Sequence, residues 1–127
     1  MAKIAIIGLT GESIFMNLNQ FPKVGETIRA NSSYTEPGGK GYNQAVAASK
    51  LGAKVSFLSA VGNDTYGKEC INTLNEYNID HNIHIKENKR TSLATILTEK
   101  KGDNKVIVSP GASLDIEDVE SFADKIK

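Results

Sequence analysis

The segment Pro37-Gly38-Gly39-Lys40-Gly41-Tyr42-Asn43 sets three glycines, a cation and an amide just ahead of a run of small helix-forming residues. Glycines let a backbone approach a ligand closely, and the start of a helix presents N–H groups with no internal partner in a field that favours oxygen-rich ligands. Hydroxyls, carboxylates and phosphates all meet that description. Lys40 can donate to a hydroxyl, and the Asn43 amide both donates and accepts, which suits vicinal hydroxyls. The same residues also suit a plain tight turn before a closely packed helix, and residue chemistry alone leaves both readings open.

Two nucleotide fingerprints fail. A P-loop needs Ser or Thr after Gly-Lys, but Gly39-Lys40 is followed by Gly41. A dinucleotide loop needs G-x-G-x-x-G, yet the run from Gly39 ends in Gln44, and Gly8 with Gly11 has the wrong spacing. His81 and His84 have no cysteine nearby and no H-E-x-x-H pattern, so they read as surface histidines rather than metal ligands. No G-x-S-x-G nucleophile elbow occurs. Cys70 is the single cysteine, which excludes an internal disulfide, fits a reducing compartment and reads as a small buried hydrophobe.

The 127 residues suffice for one domain with a real core, and 15 basic against 15 acidic residues leave no field to attract nucleic acid or anionic lipid. The first apolar run meets Gly8 well short of a signal peptide or membrane span, so a cytoplasmic protein is expected.

Around the glycine turn, β and α patterns alternate. Residues 3–7 read as a strand buried on both faces, residues 14–21 are mixed, and residues 26–34 suggest a second, partly exposed strand. A helix follows over 43–51, its small residues allowing a close approach to a sheet, and Gly52 stops it. Residues 54–61 are a buried strand. Asp64 or Thr65 caps a helix whose apolar stripe is Tyr66, Cys70, Ile71, Leu74 and Tyr77. Residues 78–85 turn into a short extended piece, and 91–98 with 105–108 form a hairpin across a charged turn. Asp115 caps a last helix, with Ile116, Val119, Phe122 and Ile126 as its buried face. That pattern runs to the final residue without a stop signal, predicting a chain that halts mid-fold.

From Gly38 to Gly67 the sequence reads GGKGYNQAVAASKLGAKVSFLSAVGNDTYG. It resembles the first signature of the ribokinase, or PfkB, family of carbohydrate kinases: the Gly-Gly-Lys-Gly-x-Asn turn, the alanine-rich helix closed by Leu51-Gly52, and Val61-Gly62-Asn63-Asp64 leading to Gly67. Phe21-Pro22, Gly25-Glu26-Thr27, Thr91-Ser92 and Ser109-Pro110-Gly111-Ala112 extend the resemblance over nearly the whole chain.

The resemblance implies an α/β, Rossmann-like three-layer α/β/α fold with a small β-sheet lid at about 26–36 and 91–108, and residues 1–127 as the N-terminal portion of a kinase domain. It also implies that the C-terminal half is missing. The implied activity is phosphoryl transfer from ATP to a sugar hydroxyl. Gly38, Gly39, Lys40 and Asn43 would hold substrate hydroxyls, and Ala94 and Ile96 would face them from the lid.

The family usually places an asparagine and an aspartate at the positions of Gly11 and Ser13, so this binding wall lacks its usual carboxylate; the nearby acid is Glu12. The catalytic base and the ATP and Mg²⁺ sites would lie outside these residues, leaving the chain alone inactive, with no catalytic residue, metal or bound cofactor of its own. The implied partners are a sugar or polyol and a second copy through the lid. The rival readings are a non-catalytic sugar-binding or dimerisation module and a remnant that binds nothing.

Overall fold

The computed structural model describes residues 1–127. In chain order the elements are β1 (Lys3–Ile7), β2 (Gly11–Leu18), β3 (Ser32–Gly38), α1 (Lys40–Lys50), β4 (Lys54–Gly62), α2 (Thr65–Glu76), β5 (Asp80–Lys86), β6 (Leu93–Glu99), β7 (Asn104–Ser109) and α3 (Ile116–Lys125). They form two sheets. One is parallel, in the order β1-β4-β5; the other has the order β3-β2-β6-β7, with only its central pair, β2 and β6, parallel.

The parallel sheet carries the core. Val55 and Phe57 of β4 meet Tyr42 and Ala45 of α1 and Leu74 of α2, with Ile79 closing the cluster and Ile6 and Ile83 packed against it. Burying side chains such as Phe57 and Leu74, both fully enclosed, contributes roughly 1.5–3 kcal/mol each. Cys70 is equally enclosed, as its place on the α2 stripe implies, while Tyr66, Ile71 and Tyr77 are half-buried. Helix α3 covers the opposite side of β5 through charge: Lys86 Nζ lies 2.7 Å from Asp118 Oδ2 and 3.2 Å from Asp115 Oδ2, and Lys125 Nζ donates to Asn82 Oδ1 at 2.7 Å. The result is a three-layer α/β/α body with a second sheet attached.

Several sequence expectations are corrected. Strand β1 is not buried on both faces: it pairs only with β4 at the sheet margin, and Ile4 and Ile7 are exposed. Strand β2 occupies part of the stretch read as mixed, and the next strand begins at Ser32 rather than 26. Its position is set by pairing with β2, from Asn17↔Ser32 to Gly11↔Gly38. Pro37 is tolerated there because β3 is an edge strand. Helix α1 starts three residues early, at Lys40. In α3, Phe122 is buried and Val119 half-buried, but Ile116 and Ile126 are exposed, and the helix ends at Lys125 with Ile126 as its cap. The histidines are half-buried rather than on the open surface. His84 Nδ1 lies 3.2 Å from Asp118 Oδ1, and burial holds the His81 pKa below its usual value. No helix is long and apolar enough to cross a membrane.

The two sheets are joined at residues 89–92. Asp64 caps α2 by accepting from Gly67 N at 2.8 Å, and the same carboxylate accepts from Thr91 N at 2.8 Å and Thr91 Oγ1 at 2.6 Å. Thr91 Oγ1 also accepts from Gly62 N at 3.0 Å. Backbone of 89–92 lies so close to Gly62 and Gly111 that a Cβ at either would collide with main-chain atoms. Partial burial opposes the charged form of Asp64, but the bonds from Thr91 and Gly67 outweigh it and hold the pKa below the usual carboxylate value. A lowered folded pKa gives stability that is complete above the unfolded value, near 4, and is lost as pH falls through the folded one. Replacing Asp64→Ala should therefore cost roughly 2–3 kcal/mol at pH 7, read by urea unfolding. The gap to wild type should narrow below about pH 4; a gap that persists unchanged at pH 2.5 would contradict this account.

Candidate functional site

The site grows from the turn that enters α1. Gly39, the residue before the helix, has φ 104° and ψ 149° and no side-chain cap, a backbone region open to glycine and strained for other residues. The turn is held from below by the β1–β2 connection: Tyr42 N donates to Leu9 O at 3.1 Å and Thr10 Oγ1 to Gly38 O at 3.3 Å. By helix geometry the amides of Lys40 and Gly41 have no partner within α1. The local structure is therefore an anchored donor cradle.

Strand register brings the second sheet over this turn. Ser13 pairs with Ala94, and Ala94 with Val108, so the three share one row on one face. That row meets Leu9, Gly11, Gly39 and Ser92 around a small cleft of about 60 Å³. Of the residues singled out from the sequence, Gly11, Ser13, Gly39 and Ala94 thus converge. Gly38 is buried beside them, with Ser13 Oγ occupying the space a Cβ at Gly38 would need. Ile96 lies one row further out, paired with Phe15 and Val106. Lys40 is exposed at the first turn. Asn43 borders a different, larger cleft of about 440 Å³, with Glu36, Tyr42 and Thr73.

Sequence reasoning missed Leu9, Ser92, Leu93 and Val108. The first three adjoin recognised segments, but nothing local marks Val108, which reaches the cleft only through the hairpin register. Glu12 does not replace the absent carboxylate. Adjacent strand residues point to opposite faces, and the Glu12 carboxylate is enclosed away from solvent with a side chain 1% exposed. Burial, reinforced by the neighbouring Glu69, pushes its pKa up to about 7. No three His, Cys, Asp or Glu side chains gather at a point that could hold a metal ion.

An α/β body carrying a small sheet over a glycine-rich helix start defines a ribokinase-like fold. The chain belongs to the pfkB family of carbohydrate kinases, whose family model it matches over residues 1–127. It is 38% identical to ribokinase from Bacillus subtilis (strain 168) over 118 residues, covering 91% of this chain and 40% of that protein. It is 35% identical to deoxyribokinase from Salmonella typhi, with 98% and 42% covered. Among solved structures, ribokinase from Giardia lamblia superposes with a TM-score of 0.88 at 33% identity, over 95% of this chain and 37% of that one. Ribokinase from Arabidopsis thaliana, complexed with ribose and ATP, gives 0.78 at 28% identity, over 94% and 42%. The chain spans about 40% of the length of the curated relatives.

Cys70 lies beside the cleft but is chemically quiet. It is fully enclosed, its Sγ donates to Gly11 O at 3.4 Å, and burial raises its pKa to about 11. A thiolate is the reactive form, so an aromatic disulfide reagent at pH 7.5 should label Cys70 at least roughly 100-fold more slowly in the native chain than in urea. Equal rates would show that this joint opens freely.

Proposed function

We propose that this chain forms the sugar-gripping part of an ATP-dependent sugar kinase. The observation that carries the reading is the convergence of the anchored cradle at Gly39 with the row Ser13, Ala94 and Val108 on one cleft. In this reading the amides at the start of α1, with Lys40 and Asn43, hold substrate hydroxyls, while Gly11, Gly38 and Ser13 shape the wall beside them. Ala94 and Ile96 face the sugar from the second sheet, which acts as a lid formed by β2, β3, β6 and β7.

Asn43 reaches the sugar only if its side chain turns from the larger cleft toward the cradle. Ser13 offers a neutral hydroxyl where the family resemblance implies a carboxylate, so hydroxyl binding rests on neutral donors. ATP and Mg²⁺ serve the whole enzyme. Neither a P-loop nor a dinucleotide loop occurs and no cluster of three His, Cys, Asp or Glu side chains is formed, and no chemical step is assigned to this chain. Alone it is inactive. The protein works in the reducing cytoplasm, where Cys70 stays a thiol.

A specific feature also favours a pairing role for the lid. Phe15 and Tyr34 stack at 4.7 Å, and Tyr34 and Val106, on the same face, are more than half exposed. A second copy covering this face would bury apolar surface that water now touches.

Calorimetric titration against pentoses, hexoses and nucleosides tests the binding role. We expect one sugar class to bind, the double variant Lys40→Ala, Asn43→Ala to lose binding, and Ser13→Asp to strengthen it by about tenfold through a charge-assisted bond. Binding that is indifferent to all three substitutions would place the ligand elsewhere.

A further inference from the structure

A ligand hydroxyl that accepts from the cradle still has its own hydrogen to give away. The amides at the start of α1 and the Lys40 ammonium only donate, so the hydroxyls they hold need an acceptor on the facing wall. Two nearby carboxylates are out of reach: both Glu12 oxygens are enclosed, and Asp64 is taken up by Thr91 and Gly67. Glu36 of β3 is free. It is exposed and forms no ion pair, and it borders the larger cleft together with Asn43.

Strand register sets Glu36 beside the wall of the small cleft as well. It pairs directly with Ser13 across β2 and β3, which extends the row Val108, Ala94, Ser13 by one strand. Residues directly opposite in an antiparallel pair share a face, with Cβ atoms about 4.5–5.5 Å apart. Two residues along β3 the same face is marked again, where Ser13 Oγ fills the space a Cβ at Gly38 would need. The row therefore runs from apolar Val108 and Ala94, through neutral Ser13, to a charged acceptor at the edge strand.

We infer that Glu36 is the hydroxyl acceptor of this site: its carboxylate takes the hydrogens of two vicinal hydroxyls held at the α1 cradle, and so selects a polyol with adjacent hydroxyls. The two oxygens of a carboxylate suit such a pair, and a charge-assisted bond is about twice as strong as the neutral one Ser13 can offer. Strand β3 runs straight into the glycine turn, so acceptor and donor cradle sit on one continuous stretch of backbone, from Glu36 to Lys40. Glu36 has this role only if the cleft holds a sugar, and within that reading it is the residue that recognises the hydroxyl pair.

Calorimetry with D-ribose, D-fructose, D-glucose and adenosine, each carrying vicinal hydroxyls, tests the role. Glu36→Gln should weaken whichever of them binds by roughly tenfold or more. The loss should be the same at low salt and at about 0.5 M potassium chloride, because the ligand is neutral and the bond direct. The midpoint of urea unfolding should stay in place, since the residue is exposed and unpaired. Ser13→Asp sets a carboxylate opposite Glu36, and its gain in affinity should be several-fold greater in the Glu36→Gln background, where no like charge faces it. Should Glu36→Gln fold poorly, the side-chain carboxyl ¹³C resonances of the wild type decide: Glu36 should shift on adding sugar while Glu12 stays still. Binding that is lost in Lys40→Ala, Asn43→Ala but unchanged in Glu36→Gln would overturn the Glu36 role and leave the sugar reading standing. A loss abolished by salt, or an equal Ser13→Asp gain in both backgrounds, would do the same. Failure of all four compounds to bind would overturn the sugar reading and the Glu36 role together.

Discussion

The structure depends on how closely two sheets can be brought together at one short stretch of backbone. Residues 89–92 pass between the end of β4, the start of α2 and the chain after β7, with glycine on either side because nothing larger fits. Asp64 makes that passage specific. One carboxylate completes the amide end of α2 and fixes Thr91, so the cap of a body helix and the launch of β6 are the same interaction. A purely apolar contact would allow sliding, whereas three directed bonds to one carboxylate set the register from which Leu93, Ala94 and Ile96 take their faces.

The cleft follows from this placement rather than from any one segment. The turn at Gly38 and Gly39 is anchored from below by Leu9 and Thr10, and its opposite wall arrives from β2, β6 and β7. Ser13 borders the cleft as a neutral group, and Glu12, which also lines it, keeps its carboxylate oxygens enclosed. Adjacent positions on a strand point to opposite faces, so an acid at position 12 and one at position 13 meet different surroundings.

Much of the body was legible in the sequence because its signals are local. The small-residue helix ending at Gly52, the Asp64 and Asp115 caps and the apolar run of β4 each declare themselves within a few residues. The second sheet was harder. In β2 the row Glu12, Ile14, Met16 and Leu18 begins with an acid, which hides its alternation, and β3 carries Pro37 and Gly38, ordinarily signs of a turn. Both become strands through their partners, and partners distant in sequence leave no periodic trace. The site divides the same way: the glycine turn could be read directly, whereas Val108 enters through register and the distance of Asn43 from the cleft depends on how α1 is rotated.

The uncapped start of α1 links two quantities that are usually separate. With no side chain at Gly39 to complete the first turn, the helix lacks hydrogen bonds that most helices supply for themselves. An oxygen atom arriving at those amides acts as the missing cap, so the free energy of occupancy is also free energy of helix formation. Because α1 contributes Tyr42 and Ala45 to the core, filling the cradle stiffens the body as well as the turn. The first turn of α1 is accordingly the soft end of that helix.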